Sequence, residues 1–154
     1  MLSNDLVCQM IEYINQNISR KITMAELSSV FFYHKDYLMR IFKREIHCTI
    51  SNYMNRLRIY QSLQELQFSN HSILRIGLNH GFSSLEYYSE TFHHIMGVSP
   101  TVYQNFSRRF IGVEEKDIPI IQKSLAELSS FFQFVTYYLG NRQKKLSKSL
   151  SIFK

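Results

Sequence analysis

Tryptophan is absent from this chain of 154 residues, and turn-forming residues are scarce, with two prolines and five glycines. So few turn formers argue against a β architecture and favour long helices. No apolar run reaches the length of a membrane span, and no basic, apolar leader opens the chain, so we expect neither a spanning segment nor a secretion signal. With only Cys8 and Cys48 and no C-x-x-C pair, we expect two reduced thiols and a cytoplasmic protein.

The charge of the chain is basic but spread along it. The formal net charge is +6 and the isoelectric point is about 9.4, a balance typical of nucleic-acid binding. Residues 1–110 contain 11 Lys and Arg against 8 Asp and Glu, and residues 111–154 contain 7 against 4. A basic face must therefore be created by folding. The length fits one compact domain with an extension.

The first half of the chain has the pattern of a helix-turn-helix. An opening helix begins at Asn4 or Asp5, and its apolar residues recur at helical spacing. The segment from Thr23 to Glu26 is a capping box, in which each residue's side chain bonds the other's backbone amide. It opens a short helix to about Phe31, and a second helix follows over about residues 35–45. These elements predict a first helix-turn-helix over about residues 23–45.

The second half repeats this organisation. Residues 51–69 form the longest uninterrupted helical pattern, and a second pair of short helices spans about residues 72–95. Gly81 marks the turn of that pair, and Ser83 to Glu86 has the form of another capping box. A proline-led helix covers about residues 100–107. The prediction is an all-α fold: two helix-turn-helix subdomains joined by a long linker helix, plus an extra C-terminal helix.

The motif residues resemble the DNA-binding domain of the AraC/XylS family of bacterial transcription regulators over about residues 5–106. The second half carries the more specific matches: Ile76, Gly81-Phe82, Tyr87-Tyr88, Phe92, Gly97-Val98-Ser99-Pro100 and Tyr103. The first half matches at Leu27, Tyr37-Leu38, Arg40, Phe42-Lys43, Tyr53 and Arg58-Ile59. The resemblance implies a bi-lobed helical domain that binds promoter DNA and, usually, activates transcription through contact with RNA polymerase. The chain departs from the family pattern at His47, Gly77 and His93, and in carrying Glu86 and Glu90.

Twelve residues are candidates for contact with double-stranded DNA, because they lie on the outward faces of the two predicted recognition helices. They are Lys35, Asp36, Met39, Arg40, Lys43, Arg44, Ser84, Leu85, Glu86, Ser89, Glu90 and His93. Arg40 is the strongest base-contact candidate, since an arginine can bond guanine O6 and N7 together. Glu86 and Glu90 face phosphates unfavourably, so we expect the second recognition helix to bind more weakly than the first.

The two recognition helices are expected in adjacent major grooves. A linker helix of 19 residues is about 28 Å long, and successive major grooves on one side of B-DNA lie about 34 Å apart. The sequence therefore predicts a sequence-specific transcription regulator, most consistent with an activator, that acts on promoter DNA in the nucleoid. No catalytic set, cofactor motif or metal spacing is evident; His80, His93 and His94 read as ordinary histidines.

Residues 111–154 form an extension beyond the DNA-binding domain of residues 1–110. A proline-led amphipathic helix is predicted over about residues 119–139, ended by Gly140, with a basic end at residues 142–148. Its apolar stripe must cover its own domain, a second copy in a homodimer through residues 119–139, or, least favoured, a membrane surface. An alternative function follows: an adaptor that keeps the helical scaffold and binds another protein through this helix, with little or no affinity for DNA.

Overall fold

The computed structural model describes residues 3–108 and 112–151, with side chains described for 5–108 and 112–141. Within those ranges the chain forms α-helices and no strand, in agreement with the all-α prediction. The helices are α1 (Ser3–Asn17), α2 (Met24–Phe31), α3 (Lys35–Ile46), α4 (Ile50–Phe68), α5 (Ile73–Asn79), α6 (Leu85–Met96), α7 (Pro100–Arg108) and α8 (Asp117–Ser151). The bounds of α2 to α7 lie within one or two residues of the predicted ones, which is the ordinary uncertainty of helix ends.

Local capping explains where these helices begin. Thr23 accepts a hydrogen bond from the Glu26 amide at 3.1 Å, as the first capping box predicts. The Glu26 carboxylate also pairs with Arg20 and accepts from the Tyr13 hydroxyl at 2.5 Å. Hydrogen bonds from Arg20 and then Tyr13, with a smaller contribution from the Thr23 backbone, lower the pKa of Glu26 to about 2. The start of α2 is thereby tied to the end of α1.

The prediction of a second capping box, from Ser83 to Glu86, is wrong. The helix α6 begins one residue later than expected, because Ser84 is the residue whose side chain accepts from a backbone amide, that of Tyr87 at 3.1 Å. Glu86 therefore stands at the second helical position, where it cannot complete a capping box, although a carboxylate still favours the positive helix N-terminus.

The C-terminal helix is longer than predicted. It starts at Asp117 and continues through Gly140 to Ser151, so the predicted end at Gly140 is wrong. A glycine inside a helix costs only about 1 kcal/mol relative to alanine, and the arginine, glutamine, lysines and leucine that follow all favour helix. The side chains of the predicted basic end lie outside the described ones.

Two apolar cores lie along the connector helix α4. The first core buries α1, α2 and α3 against the first half of α4, down to Leu57. The second core buries α5, α6 and α7 against the second half, from Ile59 onwards. Each core, with its helices, is called a lobe here. Because one helix contributes to both cores, the orientation of one lobe relative to the other is set along α4.

Arg58 lies on α4 between the two cores, where the turn of the second lobe meets the end of α1. Its side chain is 7% exposed, and its guanidinium donates to the carbonyl oxygens of Ile18 at 3.0 Å and Arg20 at 2.8 Å. Gly81, in the turn of the second lobe, packs against the same place: a Cβ there would lie 2.7 Å from the Ile18 oxygen, and its φ is +88°. Only glycine tolerates both the close approach and that backbone angle.

Helix α8 packs across both lobes. Ile121 and Leu128 are buried in the second core and Val135 in the first, while Phe132 packs against both. The apolar stripe predicted from the sequence therefore covers the protein's own domain. On the described part of α8, Ile120 and Tyr137 are the large apolar side chains left exposed.

Gly77 is explained by packing. Gly77 is one of the positions at which the chain departs from the family pattern. In the structure a Cβ at Gly77 would lie 2.8 Å from Cγ of Tyr88, which is fully buried and donates to the Ser62 hydroxyl at 2.9 Å. An alanine would need the tethered Tyr88 ring to move, so here the glycine fits the contact between α5 and α6.

Both cysteines are buried and free. Burial, with smaller contributions from Glu12 and Glu45, raises the pKa of Cys8 to about 11, and burial also raises the pKa of Cys48. Neither thiol is activated as a nucleophile, because the reactive species is the thiolate.

Two helices end on non-glycine residues in the left-handed conformation that favours glycine, and they give a first prediction. Phe32 ends α2 at φ 59° and His47 ends α3 at φ 69°. Phe32 is 91% exposed, so Phe32→Gly should relieve the backbone and raise the free energy of unfolding by about 1 kcal/mol. Urea denaturation would measure this, with Phe32→Ala as the control for the lost side chain.

The same substitution at His47 should stabilise less. The His47 ring lies 5.7 Å from the ring of Phe134 on α8, a contact that glycine would remove. A Phe32→Gly variant no more stable than Phe32→Ala would contradict the assignment of strain to these positions.

Candidate nucleic-acid interface

The first recognition helix is α3, and its outward face is polar and mostly basic. Burial of Leu38, Ile41 and Phe42 fixes which side of the helix faces the solvent. Five predicted contact residues lie exposed on the opposite side: Lys35, Asp36, Met39, Arg40 and Lys43. The helix begins at His34, whose Nδ1 accepts from the Asp36 amide at 3.2 Å. This face can meet phosphates through its lysines and base edges through Arg40.

Arg40 is held by an aromatic stack that the sequence analysis missed. The rings of Tyr33 and Tyr37 stack with centroids 5.1 Å apart, and the Arg40 guanidinium carbon lies 5.4 Å from the Tyr37 centroid. Such a cation–π contact restricts a side chain that would otherwise sample many rotamers. Tyr33, Tyr37 and Arg40 follow helical spacing, so the pattern was present in the sequence.

Arg44 stands apart from the other five. It lies 3.4 Å from the Glu45 carboxylate, and its charge also acts on Tyr138 of α8. The structure therefore places Arg44 at the edge of the face, towards the C-terminal helix, and its predicted phosphate contact competes with these partners.

The second recognition helix is α6, whose outward face is acidic. Tyr88, Phe92 and Met96 are buried beneath it. The six predicted contact residues are exposed at Leu85, Glu86, Glu90 and His93 and half-buried at Ser84 and Ser89. No lysine or arginine occurs between Ser83 and Met96. The Ser84 hydroxyl oxygen is also engaged as the helix cap. The two recognition helices thus differ in charge.

Tyr87, one of the residues that match the family pattern, belongs to this surface. It is 42% exposed, its ring meets Phe82 edge-on at 5.4 Å, and its hydroxyl donates to Asn55 of α4 at 3.3 Å. The reason is that Tyr88, one residue on, already fills the buried side of the helix.

Several arginines form hydrogen bonds or ion pairs within the protein. Arg58 bonds the carbonyls of Ile18 and Arg20, and Arg108 caps the end of α4 by donating to Leu66 and Gln67 at 3.0 Å. Arg20 pairs with Glu26. Because these arginines bond groups within the protein, the cations on the outward face of α3 make up a larger fraction of the positive charge that a partner can reach.

Among the described residues, no three His, Cys, Asp or Glu side chains come together to hold a metal ion. In the same part of the chain, no helix has the length and apolarity to cross a lipid bilayer.

The fold and the two exposed recognition helices define a helix-turn-helix DNA-binding domain. A family model for a helix-turn-helix domain matches residues 27–105, just over half of the chain. The chain belongs to the AraC-type family of helix-turn-helix transcription regulators.

Known proteins of this kind are similar over about two thirds of the chain. The transcriptional activator AarP of Providencia stuartii is 24% identical over 101 residues, which cover 66% of this chain and 75% of AarP. An AraC-type regulator structure from Chromobacterium violaceum aligns with a TM-score of 0.62 at 24% identity, covering 70% of this chain and 96% of that one. The AdpA DNA-binding domain, solved with a target DNA, aligns with a TM-score of 0.62 at 18% identity, covering 69% and 97%.

Other regulators that match are longer. The chain spans little more than a third of the length of three further curated relatives.

Proposed function

We propose that this protein is a sequence-specific regulator that places α3 and α6 in adjacent major grooves of promoter DNA. The observation that carries the proposal is the pair of exposed recognition faces on one connector: α4 has 19 residues and is therefore about 28 Å long, close to the groove repeat of about 34 Å. The packing of α8 on both cores and the close approach of Gly81 to Ile18 hold the two lobes together, which supports simultaneous contact.

The twelve predicted contact residues are part of this proposal, but they contribute unequally to DNA affinity. The first recognition helix supplies most of the affinity through Lys35, Arg40 and Lys43. The second supplies register and some sequence preference, because its acidic face repels phosphates. Activation of transcription through RNA polymerase, and a location at the nucleoid in the cytoplasm, are proposals that rest on the family.

Selection of bound duplexes from a random pool, followed by titration at several salt concentrations, tests this function. We expect a motif with a strong half-site and a weaker one about one helical turn away, and an affinity that falls steeply with salt. Little binding at any salt would overturn the proposal and favour the adaptor function.

The two acidic residues of α6 give a second prediction. Glu90→Gln should tighten DNA binding about threefold or more at low salt, since it removes a carboxylate from a surface facing phosphates. Fluorescence anisotropy would measure this, with Glu115→Gln, an exposed position before α8, as the control for net charge. A loss of affinity confined to sites with a cytosine opposite α6 would instead show that Glu90 accepts from the cytosine N4 amine.

A homodimer through residues 119–139 remains an untested prediction. The apolar stripe of α8, on which this prediction was based, packs against the two cores of the same chain. On the described part of α8, Tyr137 is the largest apolar side chain that stays exposed, at 69%. Sedimentation equilibrium of the wild type and of Tyr137→Ser would decide: a dimer that dissociates in the variant supports it, and a monomeric wild type excludes it.

A further inference from the structure

A cavity of about 190 Å³ lies where α4, α6 and α8 meet. Its polar lining comes from all three helices, with Asn52 and Arg56 on α4, His94 on α6, and Ser124 and Glu127 on α8. None of the twelve residues predicted to contact DNA lines it. The cavity is therefore separate from the recognition faces, although one of its walls is the second recognition helix.

Arg56 brings to the cavity a positive charge that forms no ion pair within the described part of the chain. Its guanidinium carbon lies 4.5 Å from the centroid of the Phe131 ring, which forms part of the cavity wall. Within the described part of the chain, no carboxylate oxygen lies within 4.0 Å of Arg56, while Glu127 at the mouth is paired with Lys123 at 3.9 Å. A guanidinium packed against an aromatic ring, with no carboxylate paired to its N–H donors, is suited to a carboxylate ligand.

Asn52 contributes a hydrogen-bond acceptor that has no donor in the described part of the chain. Its carbonyl oxygen Oδ1 is buried and has no hydrogen-bond donor among the described residues. A buried polar atom without a partner costs about 1–3 kcal/mol, and the χ2 torsion of asparagine is soft. Rotation of the amide presents Oδ1 to a donor in the cavity, which the chain itself does not supply.

We propose that this cavity binds a small carboxylic acid that carries a hydrogen-bond donor on the carbon next to the carboxylate, an α-hydroxy or α-amino acid. The carboxylate meets Arg56, with His94 and the Ser124 hydroxyl beside it, and the neighbouring donor meets Asn52 Oδ1. The volume corresponds to about six water molecules, which sets the ligand at roughly that number of heavy atoms. Glu127 at the mouth favours an ammonium over a hydroxyl group.

The site joins the second recognition helix to α4 and α8, so an occupied cavity would hold α6 in one position. This regulatory consequence rests on the proposed DNA-binding function, whereas binding of the acid does not. The two can therefore fail separately: a protein that binds the acid and ignores DNA would keep the site and lose the proposed function.

Calorimetric titration of the full chain with L-lactate, L-alanine, propionate and inorganic phosphate tests the proposal. The first three have nearly the same size, and only propionate lacks the donor. We expect lactate or alanine to bind at least tenfold more tightly than propionate. Asn52→Leu should reduce them to the level of propionate, and Glu127→Gln should weaken alanine alone.

Arg56→Gln should abolish binding of every carboxylate, while Arg75→Gln, an exposed arginine on α5, should leave it unchanged. Should Arg56→Gln fail to fold, NMR spectra of the wild-type chain serve instead, with shifts at the Asn52 side-chain amide and the His94 ring expected on addition of lactate or alanine. Propionate binding as tightly as lactate and alanine, binding of phosphate alone, or no response to any of the four would overturn the proposal; the last would show a cavity that holds water only.

Discussion

Replacing Arg40 with glutamine is expected to weaken specific DNA binding about tenfold to a hundredfold, corresponding to about 1–3 kcal/mol for a lost bidentate contact to a base. The expectation rests on the exposure of Arg40 in the middle of the α3 face and on its guanidinium lying 5.4 Å from the Tyr37 ring. Anisotropy with the selected duplex would measure the loss, and Lys123→Gln on α8 would control for the change in net charge.

The substitution Arg40→Lys separates base reading from charge. Lysine keeps the charge and loses the planar fork of donors. If Arg40 bonds guanine, the variant should bind mixed-sequence DNA nearly as well as the wild type and discriminate less at one position. Unchanged discrimination would show that Arg40 contacts only phosphate. Tyr37→Leu should have a smaller effect of the same kind, because it releases Arg40 without removing it.

The second large effect is expected at Arg58. Arg58→Met should lower the free energy of unfolding by about 3 kcal/mol, since it leaves the buried carbonyls of Ile18 and Arg20 without donors. Burial lowers the pKa of Arg58 from its usual value, yet the guanidinium remains charged at neutral pH. Urea denaturation would measure the loss, with Arg75→Met as the exposed control.

Arg58→Lys should recover part of this stability, because an ammonium group can donate to one of the two carbonyls but does not match the fork that reaches both. If Arg58→Met were as stable as the wild type, the bonds to Ile18 and Arg20 would not be stabilising the packing of α4 against the end of α1.

Much of the fold could be predicted from the sequence because its helices are marked by local chemistry. Thr23 caps α2 as the first capping box predicts, α5 and α7 begin within one residue of their predicted starts, and the buried positions of α3 follow from its periodicity. The end of α8 could not be predicted this way. Glycine is common just after the end of a helix, but it ends a helix only when the residues that follow adopt another conformation. After Gly140 they continue the helix.

The candidate interface was predictable as two faces but not in its internal contacts. The sequence shows that Arg40 points outward and that α6 lacks cations. It does not show that Arg44 lies beside Glu45, since neighbouring residues on a helix diverge by about 100°. Contacts between distant segments, such as those of Arg58 and Arg108 with carbonyl groups, depend on how the helices pack.

The packing of α8 has a consequence for how the protein comes apart. Two separate cores would ordinarily melt as two independent units, each with its own midpoint. Here Phe132 packs against both, and Val135 and Leu128 are buried one in each. Unfolding of either core would expose about half of the apolar residues that α8 buries. Heating should therefore give one cooperative transition, with a calorimetric enthalpy equal to the van't Hoff value.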